Sequence, residues 1–235
     1  MGRVFEKRKH KMFARFDKMA KGFTKIGKEI AIAVKLGGTN PDGNSRLRIA
    51  IQNAKSINMP KDRIEAAINR ASSKEEKDLE EIVYEGKGPF GIGIVVETAT
   101  DNPTRTVANV RVIFNRNGGE LGKTGSLDYL FERKGVFRIK DKNLNMDDLE
   151  LALIDAGAED FAHDEDEIVI TTAFSDFGNM QKALEAQQLE IVSSELQRIP
   201  NSTVELTEEQ QEEVFALVEK LEEDEDVQQV YHNLA

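Results

Sequence analysis

Residues 135–200 read GVFRIKDKNLNMDDLELALIDAGAEDFAHDEDEIVITTAFSDFGNMQKALEAQQLEIVSSELQRIP, and this stretch decides the fold. Val136-Phe137-Arg138-Ile139 is a short β-rich run, a strand. Asn145 then caps a helix that carries Met146, Leu149, Leu153 and Ala156 inward, and Gly157 ends it. A strand around Phe161 turns through Asp164-Glu165-Asp166 into Ile168-Val169-Ile170. Ser175 caps a second helix with Phe177, Met180 and Leu184, and a last strand lies within Leu189 to Ile199. The order βαββαβ is the split-βαβ, ferredoxin-like signature.

The segments on either side are each incomplete. Upstream, Ile82-Val83-Tyr84 and Ile92 to Thr98 flank the Gly86-Lys87-Gly88-Pro89 turn as a hairpin. Asn102-Pro103 opens a helix with Val107, Val110 and Phe114 inward, Gly118-Gly119 stops it, and Ser126 to Phe131 reads as a strand from its aromatic content. Downstream come a strand at Val204, a helix with Val214, Leu217, Val218 and Leu221, and a strand at Val227 to Tyr231. Neither set can bury its faces alone, so residues 134–199 are expected to be inserted into a domain made of 79–133 plus 200–235.

The first 78 residues follow a helical period. From Phe13 the pattern Phe13, Phe16, Ala20, Phe23, Gly27, Ile30, Val34 is one stripe of a helix. With Phe13 at heptad position a, Lys11, Lys18 and Lys25 fall on f and Lys21, Lys28 and Lys35 on b, opposite the stripe. Gly22 and Gly27 each cost about 1 kcal/mol relative to alanine, which suggests a helix starting near Lys21 behind a basic arm; Gly37-Gly38 stops it. Asn44 or Ser45 caps a second helix with Leu47, Ile51 and Ala54 inward, and Pro60 with Asp62 opens a third with Ile64, Ala67, Ile68 and Ala71 inward. The expected fold is a multi-domain α and α+β protein: an N-terminal three-helix domain (1–78), then two α+β domains, the third ferredoxin-like (134–199) and inserted in the second (79–133 plus 200–235).

Charge divides the chain along the same line. The net charge is −11 over 235 residues, yet residues 1–75 hold eighteen basic and seven acidic side chains, leaving the remainder strongly acidic. Such asymmetry points to a polyanion-binding part joined to a part that repels polyanions. The candidate nucleic-acid contacts are Lys7, Arg8, Lys9, Lys11, Arg15, Lys18, Lys21, Lys25, Lys28, Arg46, Arg48 and Lys55. Arg105, Thr106 and Arg111, at the start of the helix after Asn102, form a candidate anion site, with simple capping as the competing explanation.

Other chemistries are disfavoured. The absence of cysteine removes disulfides, thiol nucleophiles and thiolate metal sites. The three histidines lie far apart, and no histidine sits in a nucleophile–base arrangement, so neither an enzyme nor a metal site is expected. Gly86, Gly88 and Gly91 match a dinucleotide fingerprint, but lead from strand to strand rather than into a helix. The acidic runs 164–167 and 222–226 lack the glycine turn of a calcium loop and read as solvated turns. No long apolar run or secretory leader is evident, which places the expected site of action in the cytoplasm, with no cofactor, no membrane and no small-molecule substrate.

Several spaced motifs resemble a known family. Leu36-Gly37-Gly38, Asn44-Ser45-Arg46-Leu47-Arg48, Asn58-Met59-Pro60-Lys61-Asp62 and Ala67-Ile68 resemble the N-terminal domain of the YebC/PmpR family. Tyr84-Glu85-Gly86, Gly88-Pro89, Thr100-Asp101-Asn102, Arg105-Thr106-Val107, Arg111, Asn117-Gly118-Gly119, Leu121-Gly122, Gly125-Ser126 and Phe131-Glu132-Arg133-Lys134-Gly135 follow its central pattern. The start departs from it: Gly2-Arg3-Val4-Phe5-Glu6 stands where members commonly carry Gly-His-Ser-Lys-Trp. The resemblance implies three domains and a bacterial DNA-binding transcriptional regulator. It also implies an alternative, a ribosome-associated translation factor that binds rRNA and relieves stalling at proline runs. A small-ligand sensor, suggested only by the ferredoxin-like layout, ranks third.

Overall fold

The computed structural model describes residues 2–73 and 77–235, with side chains from residue 20 onward. Three helices open the chain: α1 (Gly2–Gly37), α2 (Ser45–Ser56) and α3 (Lys61–Ala71). They close on Ile30, Ala33 and Val34 from α1, Leu47, Ala50 and Ala54 from α2, and Met59, Ile64 and Ala71. Asn44 sets the first corner. Its Oδ1 accepts from the Leu47 amide at 3.0 Å, capping α2, while its Nδ2 donates to the Ala33 and Gly38 carbonyls at 2.7 and 2.9 Å.

The expected helix start near Lys21 is corrected: α1 is continuous from Gly2, 36 residues long, about 54 Å at 1.5 Å per residue. Gly22 and Gly27 are absorbed because strong helix formers surround them. Among the described residues, α1 contributes Phe23, Ile26, Ile30, Ala33 and Val34 to the core of this helical head.

Two antiparallel sheets form the trunk. The first has strand order β3 (Glu120–Leu121), β1 (Glu80–Lys87), β2 (Gly93–Thr100), β8 (Val227–His232). Helices α4 (Pro103–Arg116) and α7 (Glu208–Glu222) cover one face through Val110, Phe114, Val214, Leu217 and Leu221 on Ile92, Ile94 and Val96. The second sheet has the order β5 (Ala158–Asp164), β6 (Glu167–Ala173), β4 (Phe131–Lys140), β7 (Ile191–Pro200). Here α5 (Met146–Leu153) and α6 (Phe177–Ala186) pack Leu149, Leu153, Met180 and Leu184 on Phe137, Ile139, Ile168 and Ile170. All four strands of the second sheet lie between β3 and β8 in the chain.

The strand expected over Ser126 to Phe131 is absent; residues 122–130 are turn, and β4 begins at Phe131. Leu127, Leu130 and Phe131 instead cover the second face of the first sheet against Val95. The turn is held from beneath by Glu85, a buried carboxylate. It accepts from the amides of Gly125 (2.8 Å) and Leu127 (2.6 Å) and from Ser126 Oγ (3.4 Å). Val204 is likewise not in a strand but makes a single parallel bridge to Leu234, and a turn of 3-10 helix, Phe174–Asp176, displaces Ser175 from the cap of α6.

The glycines that imitate a nucleotide fingerprint are packing residues. A Cβ on Gly86 would lie 2.7 Å from the Glu120 carbonyl oxygen and from the Phe114 ring. Between the strands, Phe90 and Gly91 both take positive φ, +58° and +78°, closing the hairpin. No helix among the described residues is long and apolar enough to cross a membrane.

Replacing Glu85 leaves the buried Leu127 amide without its acceptor and frees the Gly125 amide and the Ser126 hydroxyl. Glu85→Ala is expected to lower unfolding free energy by about 2–3 kcal/mol in urea titrations, whereas the exposed Glu120→Ala stays within about 0.5 kcal/mol.

Candidate nucleic-acid interface

The cations of the helical head fall into three groups. Lys7, Arg8, Lys9, Lys11, Arg15 and Lys18 belong to the first half of α1, and their side chains lie outside the described residues. Lys21, half-buried, and Lys55, exposed in the last turn of α2, follow on the described part. The rest face the trunk.

Lys28 is the clearest case. Its Nζ donates to the Ala99 carbonyl (2.8 Å), the Glu225 carbonyl (2.7 Å) and Asp226 Oδ1 (3.0 Å). Its side chain is 17% exposed, so Lys28 is not a phosphate contact but a tie between head and trunk, a correction forced by three acceptors that satisfy all its protons. Lys25 sits in the same crevice, where burial lowers its pKa against partial compensation from Glu222. Arg46 makes a bidentate pair with Glu81. Arg48 reaches the second sheet's unit through Glu185 (3.2 Å) and also donates to the Pro41 carbonyl. Both pairs are partly exposed and individually weak.

The candidate anion site is filled from within the chain. Arg105 Nη2 donates to Asp226 Oδ2 at 2.7 Å and to Asp101 at 2.9 Å, and Thr106 Oγ1 donates to the same Asp226 oxygen at 2.8 Å. Burial alone would raise the Asp226 pKa, but the hydrogen bonds from Arg105, Lys28 and Thr106 outweigh it and hold the carboxyl at about 2. Arg111 does not join them: six residues on, it lies exposed on a different face of α4. The run ending in Asp226 is therefore not simply a solvated turn. The other acidic run is also engaged, Asp164 with Arg138 and Asp166 with Lys140.

The α2 helix also seals the second sheet. β7 is an edge strand, and its exposed backbone would invite pairing with another chain. Asn53 occupies that edge as a strand would: Nδ2 donates to the Ser194 carbonyl at 3.0 Å and Oδ1 accepts from the Ser194 amide at 3.1 Å. Gln52 adds a bond to the Ile191 carbonyl at 2.9 Å. The spacing of polar residues on α2 carried no signal that separated these seats from solvent-facing ones.

Where head and both sheets meet, a cavity of about 770 Å³ remains, lined by Glu29, Arg46, Arg48, Arg133, Lys182 and Gln228 among others. Burial raises the pKa of Glu29 to about 7, with Glu195 and Glu81 pushing the same way and Arg46 opposing.

Family models described as "TACO1/YebC protein N-terminal domain" and "TACO1/YebC second and third domain" match residues 3–74 and 79–234. A protein of Cytophaga hutchinsonii named "Probable transcriptional regulatory protein" is 60% identical over 235 residues, covering 100% of this chain and 99% of its own. A namesake from Parabacteroides distasonis is 56% identical, covering 100% and 97%. The crystal structure of a conserved hypothetical protein from Aquifex aeolicus superposes with a TM-score of 0.80 at 39% identity, covering 92% of this chain and 90% of that one.

Lys28→Ala is expected to destabilise by about 2–4 kcal/mol in urea unfolding, since it leaves a buried carboxylate short of a partner, while Arg111→Ala moves stability by less than about 0.5 kcal/mol. Glu29 supplies a pH signature. Its folded pKa lies above the ordinary 4.5, so its contribution is fully present below that value and is lost as pH rises through about 7. Glu29→Gln should therefore flatten the fall in melting temperature across that window, a difference of about 1–3 kcal/mol; an unchanged profile refutes the assignment.

Proposed function

The chain belongs to the TACO1/YebC family, and from that membership and the charge layout we propose that it is a cytoplasmic, non-enzymatic regulator of gene expression that binds nucleic acid through its helical head. The relatives' names support the regulatory reading. The observation that carries the binding reading is the concentration of positive charge on α1: residues 1–28 hold ten basic and two acidic side chains. Trunk carboxylates engage Lys28, Arg46 and Arg48, whereas Lys7, Arg8, Lys9, Lys11, Arg15 and Lys18, on the first half of α1, carry the binding reading by their charge. Phosphate contacts of this kind supply affinity and position without reading sequence.

A second reading is favoured by the acidity of the trunk. Residues 76–235 hold fourteen basic and thirty-six acidic side chains, and so negative a body is repelled by naked duplex beyond its contact face. A ribosome offers rRNA for the head and basic proteins for the trunk, which makes a ribosome-associated translation factor the alternative. Sedimentation with ribosomes, compared with promoter binding at equal salt, separates the two.

Neutralising about five phosphates gives a slope of log K against log salt near −4 to −5 on duplex DNA. Lys11→Ala, Arg15→Ala and Lys18→Ala together are expected to weaken binding and to reduce that slope by about 3, with the melting temperature unchanged. A flat salt dependence of the wild type, or full binding by the folded triple variant, overturns the proposal.

A further inference from the structure

The junction cavity holds features that neither the fold nor the head's charge accounts for. Gln228, on β8, lines it, and both Nε2 and Oε1 of its side chain are buried without a hydrogen-bond partner. An amide left this way costs stability unless something completes it. Arg133 and Lys182 line the same space, and among the described residues neither has a carboxylate within ion-pair distance. Lys87, Arg111, Arg116 and Lys123 also lack such a partner among the described residues, but of these trunk cations only Arg133 and Lys182 line the cavity. The Arg133 guanidinium carbon sits 4.3 Å from the centroid of the Phe174 ring, which lies outside the lining itself, and Phe174 is 49% exposed. Arg48, held by the partly exposed Glu185, and Arg46, held by Glu81, complete the lining on the head side.

We propose that this cavity is a second nucleic-acid site, taking a segment of single-stranded nucleic acid whose phosphates lie on Arg133, Lys182 and Arg48 and whose bases meet Phe174 and the Gln228 amide. Single-strand sites combine cations that follow the backbone with aromatic rings that accept bases, and a side-chain amide can bond a base edge in two places at once. A duplex is too broad for a space of about 770 Å³, so the site selects single strands. Glu185 acts as a latch: it occupies Arg48 until a phosphate replaces it. The ion pairs Arg198–Glu97 and Arg46–Glu81 neutralise two of the lining carboxylates, Glu195 keeps its charge on the β7 side, and protonation of Glu29 lessens the repulsion from α1. The inference rests on the nucleic-acid reading above and adds the strandedness of the ligand and where it lies.

Fluorescence anisotropy with a fluorescein-labelled single-stranded RNA of mixed sequence, and with the duplex of the same sequence, tests it at fixed salt. Arg133→Ala with Lys182→Ala is expected to weaken single-strand binding about tenfold or more and to reduce its salt slope by about 1.4, leaving duplex affinity within twofold. Gln228→Leu, which fills the space without the amide, is expected to weaken the single strand alone. Glu185→Gln should tighten it at least about threefold, whereas Glu213→Gln, the same charge change on the far helix α7, should not. If wild type binds neither nucleic acid, the reading of the head fails first. If wild type binds both and the cavity variants match the Glu213→Gln control, or lose duplex and single strand equally, the cavity site is refuted and the head remains.

Discussion

Asp226 is a carboxylate taken out of water, and four side-chain donors make that tolerable: Lys28 from the head, Thr100 from the end of β2, and Arg105 and Thr106 from the first turn of α4. A buried charge without partners would cost several kcal/mol, so the three elements that meet there have to meet. Lys28 simultaneously bonds two backbone carbonyls, one from the end of β2 and one from the loop before β8. One ammonium thus fixes where the head sits on the first sheet, and the orientation of everything that follows depends on it.

The second constraint acts at the other sheet. Asn53 and Gln52 satisfy backbone groups of edge strand β7 that would otherwise be open. Together with Lys28 they give the head two seats, one on each sheet. Between these seats the packing is incomplete, and the cavity is what remains when three separately closed cores are joined mainly by polar ties. Its walls therefore hold arginines, glutamates and amides beside aliphatic side chains such as Ile32, Ile49, Val83 and Leu196, and the burial this gives makes Glu29 sensitive to protons.

The distribution of cations follows from the same geometry. The head faces an acidic trunk with the second half of α1 and with α2, so Lys28, Arg46 and Arg48 become internal partners there, while Lys55 is exposed. The first half of α1 carries the highest density of positive charge in the sequence.

Much of this was legible from local pattern. The helix caps at Asn44, Asn102 and Asn145, the glycine stops, and the βαββαβ order depend on neighbours within a turn or a strand, and residue type reports them directly. The segment from Ser126 to Phe131 was misread because its apolar residues cover a sheet face from a turn, and composition does not separate that from a strand. The long α1 was misjudged because two glycines weigh less than the helix formers around them. What the amino-acid order determined alone is the set of elements, their inward faces and the split of charge between head and trunk. Which cations remain for a partner was decided only by the tertiary structure, because Lys28 and Asp226 stand 198 residues apart, and no local pattern registers an electrostatic contact between groups that only folding brings within 3 Å.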